Sequence, residues 1–245
     1  MAVGLAVPWR WALSRTSAWS IWYVLAALVI TMLVLLPVYD ERISYLEGNA
    51  LLMRESRQGL DSEAKELGAL TEKLKKLPPG RVYAGQKMPG SRRKNWGETY
   101  YVGEGRIHHY DVLHAEGLDV MGKTSHGYSL NRDLMIDFDE RRWDHYNLYN
   151  TRYVVAPEDR EFPEFVKPLQ QFGHDILYQV ETTGYFDLVG SDLNFGGAKT
   201  SLYPAASSWL ASGLPASKQH PVVSFGNPSG ELERLIPLSE AAGVI

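Results

Sequence analysis

Residues 16–39, lying between Arg15 and Asp40, are a run of 24 positions without one Asp, Glu, Lys or Arg, and this run constrains the chain more than any other feature. At a rise of about 1.5 Å per residue it makes a helix of roughly 36 Å, enough to cross a hydrocarbon core of about 30 Å with some tilt. The segment "AWSIWYVLAALVITMLVLLPVY", residues 18–39, is therefore read as one transmembrane helix. Trp19, Trp22 and Tyr23 at one end and Tyr39 at the other suit the membrane–water interface, where amphipathic rings settle. Pro37 falls where a last turn is expected, a place that tolerates one lost backbone hydrogen bond. A secretory signal peptide is the competing reading, but its apolar region usually runs about 7 to 15 residues and ends in small residues. Here the run is longer and ends in "LPVYDER". A buried helix of a soluble protein is the third reading, and the length argues against it.

The charges on either side set an expected orientation. Arg10 and Arg15 precede the run with no acidic residue, whereas Asp40 and Glu41 follow it beside Arg42. By the positive-inside bias, residues 1–17 stay in the cytoplasm and everything after Tyr39 is exported, so the expected location is the cell membrane with a single span. Setting aside Arg10 and Arg15 leaves 23 of the 25 basic residues against 29 acidic ones, a formal charge of −6 for the exported part. That balance argues against nucleic acid or an anionic membrane surface as the main partner. The bilayer is the partner the sequence names most directly. With no cysteine in the chain, a disulfide framework, a thiolate nucleophile and a cysteine zinc site are excluded.

Beyond the span, residues 40–79 read as a connecting helix. Leu60, Ala64, Leu67, Leu70, Leu74 and Leu77 recur at spacings of three and four among Glu and Lys, and "PPG" stops the pattern. Residues 80–192 read as a mixed α/β domain, giving an α/β fold class for the chain as a whole. "GRVYAG" is a short strand between glycines, and "MPGSRRKNWGE" is an exposed loop. "HGYSLNRDL" is a loop entering a helix. "DFDERRWDHYNLYN" carries Trp143, Tyr146 and Tyr149 at helical spacing and leads into the buried strand "TRYVVA". "PEFVKPLQQFG" predicts a short helix closed by Gly173. "DILYQVETTGYFDLVGS" predicts a hairpin turning at Thr182-Thr183-Gly184. Residues 193–245 read as a loop-rich, incomplete tail with one strand-like piece, "HPVVSFG".

Three chemistries are weighed on the residues themselves. His108, His109, Asp111 and His114 form the densest group of potential metal ligands, but zinc needs three or four donors converging at about 2.0 to 2.2 Å, and this spacing does not converge on a helix. Surface or hydrogen-bonded core histidines are the simpler reading, so neither a metal nor another cofactor is expected. Asp137 and Asp139 of "DFDE" form an Asp-x-Asp pair of the kind that can hold a divalent cation, with capping ahead of "ERRWDHY" as the plainer explanation. Trp96, Tyr100, Tyr101, Tyr110, Tyr128, Trp143 and Tyr146 lie among Asp, Asn and Arg in the loop-rich middle. Flat rings beside planar donors and acceptors suit sugar recognition, with core packing as the alternative for any one ring. Arg152 is the one residue of the "TRYVVA" strand with a prospect of ligand contact, against an ordinary salt bridge. The candidate ligand-binding set is thus Arg152, Trp96, Tyr128, Trp143 and Tyr146. No G-x-S-x-G, phosphate loop or strand-preceded G-x-G-x-x-G is present.

Taken in order, the span, the helix, "LPPGRVYAG", "HGYSL", "LYNTRYVVAP" and "LYQVETTGYFDLV" resemble the exported domain of bacterial multi-spanning glycosyltransferases of the GT-C type. That group includes membrane proteins labelled as related to 6-pyruvoyl-tetrahydropterin synthase. The resemblance covers roughly residues 18–192. It implies a glycan or lipid-linked sugar as ligand and a multi-spanning membrane partner. It also implies that this chain is a C-terminal fragment or truncated relative, because the family's catalytic loop lies between earlier membrane helices and has no counterpart here. The alternatives from other classes are an independent exported enzyme centred on His108, His109, His114 and Asp137, and a purely structural interaction module.

Overall fold

The computed structural model describes residues 10, 14, 20–85, 100–103, 107–122, 134–135, 137–225 and 235–245. One helix, α1 (Ser20–Lys76), takes up the apolar run from Ser20 onward and continues through the amphipathic segment. The expected span and connecting helix are therefore one uninterrupted element. Pro37 lies inside it and not in a last turn. The ring removes one amide donor, and the flanking leucines and valines, good helix formers or at least compatible ones, carry the helix past it. In the apolar half the side chains face outward: Trp22 is 63% and Leu33 59% exposed. Thr31 returns its hydroxyl hydrogen to the Ala27 carbonyl at 2.7 Å, so this polar group is satisfied within the helix. By internal contacts the chain divides into two units, Met1–Arg57 and Gln58–Ile245.

In the second unit the leucine stripe does what its spacing predicts. Leu67, Leu70 and Leu74 are buried, with Leu60 and Leu77 packed at their edge, whereas Ala64 is exposed. Lys73, Lys75 and Lys76 close the helix, where cations complement the exposed carbonyls. Pro78 and Pro79 then end it.

The stripe covers one face of a four-stranded sheet of order β1-β2-β4-β3, built from β1 (Arg81–Tyr83), β2 (Thr151–Pro157), β3 (Lys167–Phe172) and β4 (Asp175–Gln179). β1 runs parallel to β2, and β4 lies antiparallel to both β2 and β3. β2 is an inner strand buried on both sides. Tyr153 and Val155 pack with Leu67, Leu70, Leu74 and Leu177, whereas Val154 and Ala156 pack on the opposite face with Tyr83, Tyr146, Phe138 and Tyr178. Since side chains alternate across a strand, covering both faces requires the continuous apolar run that "YVVA" supplies.

Two sequence expectations are corrected here. The segment expected to be a helix closed by Gly173 is strand β3, and Gly173 (φ 60°) forms the tight turn of the β3–β4 hairpin with His174. The hairpin expected around Thr182-Thr183-Gly184 does not form: after Gln179 the chain leaves the sheet, and Thr182 Oγ1 donates instead to Asn150 Oδ1 at 2.7 Å.

Two short helices flank the sheet, α2 (His109–Ala115) and α3 (Trp143–Leu148). α3 enters β2 through Asn150, which adopts a left-handed φ of 49° that Asn tolerates, and its carbonyl accepts from Arg81 N at 2.8 Å. The region expected to be a loop-rich tail has a sheet of its own. β5 (Asn194–Gly197), β6 (Val222–Phe225) and β7 (Ile236–Pro237) pair in parallel in the order β6-β5-β7. α4 (Leu202–Ala211) supplies the crossover that parallel pairing of β5 with β6 demands, and a one-turn α5 (Ala241–Val244) packs Ala241 beside Phe195 and Ala205.

Candidate functional site

α3 reaches the tail through a half-buried cation. Arg142, at its N-cap, donates from its guanidinium to the carbonyls of Leu210, Ala211 and Ser212 at 3.1, 2.9 and 2.6 Å and pairs with Asp144. A planar fork thus collects the carbonyls at the end of α4 that have no partner within that helix. His145 completes the joint: its Nδ1 accepts from the Asp139 amide at 2.9 Å, and its Nε2 contacts the Leu210 carbonyl at 3.0 Å. Both bonds suit the neutral ring with the proton on Nε2. Burial lowers the pKa of this histidine, against the opposing pull of the Leu210 carbonyl.

Beside this joint lies a polar cleft of about 200 Å³, lined among others by Asp144, Asn147, Tyr185, Asp187, Lys218 and His220. Its groups are fixed from several directions. Asn147 Oδ1 accepts from Thr183 N at 2.7 Å and from Thr183 Oγ1 at 3.0 Å, while Lys218 Nζ stands 2.9 Å from an Asp187 carboxylate oxygen. The hydrogen bonds from Lys218 and Thr183 hold the Asp187 carboxyl below its ordinary pKa. Tyr185 is half exposed and donates to Asp119 Oδ2 at 3.0 Å, and His220 meets the Trp209 ring edge-on. Phe186 and Leu188, each 93% exposed, flank Asp187 in the chain. Carboxylate, amide and ammonium groups and the rings of Tyr185 and His220 thus line one cleft.

The sequence-derived ligand residues do not gather at one place. Trp143 starts α3, is partly exposed, and donates Nε1 to the Glu181 carbonyl at 2.9 Å, with Asp144 of the cleft next to it in the chain. Tyr146 is fully buried against Phe138 and Phe165, with its hydroxyl on the Glu140 carbonyl, so it is a core residue and offers no face to a ligand. Arg152 donates to Thr182 Oγ1 and to the Thr182 carbonyl, both at 3.4 Å, in place of the expected carboxylate. Trp96 and Tyr128 lie outside the described residues. Tyr100 is buried, and Tyr101 and Tyr110 pack on opposite sides in sequence of the His108 ring.

The titratable group at residues 108–114 also disperses. His108 Nδ1 meets Asp111 Oδ2 at 3.2 Å, and His114 is exposed in the last turn of α2. Asp137 accepts from Ser207 Oγ at 2.6 Å and from Tyr203 at 3.3 Å, and Asp139 turns back onto the Arg141 amide at 3.0 Å, capping a turn ahead of α3 without reaching the helix itself. His109 alone points inward. Its Nε2 lies 2.7 Å from Asp175 Oδ2, and both are buried. Glu63 of α1 joins them, with donor atoms of all three within 4.8 Å of one another. The cleft residues Asn147, Asp187 and Lys218, and the partners Glu63 and Asp175, escape sequence reasoning because they sit on separate elements with no local motif. The run "DILY", which reads as strand, hides the role of Asp175 at its first position.

Comparison with protein-family models, with curated proteins and with solved structures finds no match to this chain.

Proposed function

We propose that this chain is a membrane-anchored, extracytoplasmic α/β module that serves a glycosyltransferase assembly of the GT-C type, with a glycan-binding or structural role beside a multi-spanning partner. The observation that carries the anchoring is the charge-free half of α1, whose large apolar side chains face outward along residues 21–39. Such a surface is stable in lipid and costly in water, since each large apolar side chain left exposed forgoes about 1.5 to 3 kcal/mol of burial. The charge asymmetry around the run supports a cytoplasmic N-terminus. The polar cleft beside α3 supports a sugar as the ligand, because its Asn147, Asp187 and Lys218 groups are held in place by bonds that leave further donor and acceptor capacity.

The test is binding of glycans and of a lipid-linked oligosaccharide to the full chain in detergent. A glycan ligand whose binding falls at least tenfold in Asn147→Ala and in Lys218→Ala is the expected result. Absence of binding across a broad glycan panel would remove the sugar and leave the structural role. Trp143→Ala is expected to weaken binding less, because its ring nitrogen is already committed to the Glu181 carbonyl.

A further inference from the structure

Three charged or ionisable side chains from three separate elements meet where α1, α2 and the start of β4 come together. His109 is 1% exposed and Asp175 6%, and Glu63 is half-buried on α1. The ring nitrogen Nε2 of His109 is 2.7 Å from Asp175 Oδ2, while Nδ1 is buried and has no hydrogen-bond partner. No protonation state of the ring removes this defect. With the proton on Nε2, that nitrogen donates to Asp175 and Nδ1 is left as a bare lone pair. With the proton on Nδ1, the N–H has no acceptor and the Nε2 lone pair faces a carboxylate. As imidazolium, the ring satisfies Asp175 but again strands an N–H at Nδ1. A buried polar group without a partner is costly, and two carboxylates beside a buried ring add the cost of uncompensated charge.

A divalent cation held by Nε2 and the two carboxylates compensates the charge gathered there. We infer that Glu63, His109 and Asp175 form a binding site for a first-row divalent metal ion of the zinc type. One imidazole nitrogen with carboxylate oxygens, and no thiolate, is a borderline donor set that suits such ions better than magnesium or calcium, which prefer oxygen alone. The donor atoms lie within 4.8 Å of one another, whereas ligands on one tetrahedral ion at about 2.0 to 2.2 Å stand about 3.4 Å apart. The His109–Asp175 pair, now 2.7 Å apart, therefore has to open by a fraction of an ångström, and Glu63, half exposed on α1, has the freedom to close in. Asp175 is held by its place in the sheet, opposite Pro157 and Phe172. Beside the cluster opens a cavity of about 390 Å³, bordered by Glu63, Asp175, Tyr101 and His174, which leaves room for water or a ligand at the coordination positions the protein does not fill. With three protein ligands and an open side, this is the layout of a catalytic or ligand-exchanging metal centre and not of a closed structural one.

The test uses the full chain in detergent, stripped with chelator and titrated with zinc alone. One zinc per chain is expected, with affinity reduced at least tenfold in Glu63→Gln and abolished in His109→Ala, and unchanged in His114→Ala, which alters an exposed ring outside the cluster. Glu63→Gln is the decisive variant because its side chain is half exposed and its replacement keeps the shape. X-ray absorption at the zinc edge of the wild-type chain adds a readout that needs no variant: one imidazole and otherwise oxygen ligands are expected. No stoichiometric zinc, equal affinity in wild type and Glu63→Gln, or a spectrum with two or more imidazoles would each overturn the assignment.

Discussion

His145 and Arg142 carry the joint between the sheet and the tail, and each has a measurable consequence. Burial depresses the pKa of His145 in the folded chain, so the folded state binds its proton less readily than the unfolded chain, whose value is about 6.5. Its contribution to stability is fully present above about pH 6.5 and is lost as the pH falls towards the lowered folded value. His220 is shifted the same way, by burial. Urea midpoints of the full chain should therefore drop between pH 7.5 and 5.5, and His145→Asn should reduce that drop while lowering the midpoint at pH 7.5. An unchanged pH slope in the variant would place the titrating group elsewhere. Arg142→Ala removes three carbonyl contacts and leaves Asp144 buried without its cation. The expected cost is about 3 to 5 kcal/mol, read as a shift of the urea midpoint. A loss under about 1 kcal/mol would mean that the α4 carbonyls find water instead.

At the scale of the elements, β2 is the strand on which both cores depend. Val154 and Val155 are fully buried on opposite faces, so Val154→Asp and Val155→Asp each bury an unpaired carboxylate and should cost several kcal/mol out of the roughly 5 to 15 that hold a domain. Arg152→Ala loses only two long hydrogen bonds to Thr182 and should change stability by about 1 kcal/mol or less. Protease resistance of the three variants ranks them directly, and equal resistance would contradict the two-sided burial. β2 was legible in the sequence because an inner strand covered on both faces has to be apolar throughout. The same rule made the β3–β4 hairpin illegible. β3 is an edge strand, exposed at every position but Phe172, so "KPLQQF" shows no alternation and its glycine reads equally well as a helix end. The tail sheet was missed for a different reason: its strands are two to four residues long, and "NFGG" offers a single side chain, Phe195, to the core. Of the candidate sites, the sequence supplied His109 and the neighbourhood of Trp143, and the tertiary fold supplied the partners.

For the whole molecule, the account rests on one helix with two halves of different character, an apolar run facing outward over residues 21–39 and a leucine stripe packed under the sheet from Leu60 to Leu77. The charge-free run reads in full from the sequence because a helix that is apolar on every side has to be apolar along its whole length. The most direct measurement is to fuse after Ile245 a reporter enzyme that works only outside the cytoplasm and to follow its activity through cell fractionation. The account predicts an active reporter that stays with the membranes after an alkaline wash. An inactive reporter would mean that the chain has the opposite orientation or is not exported. Activity released into the soluble fraction would mean that the apolar run is a cleaved leader and not an anchor.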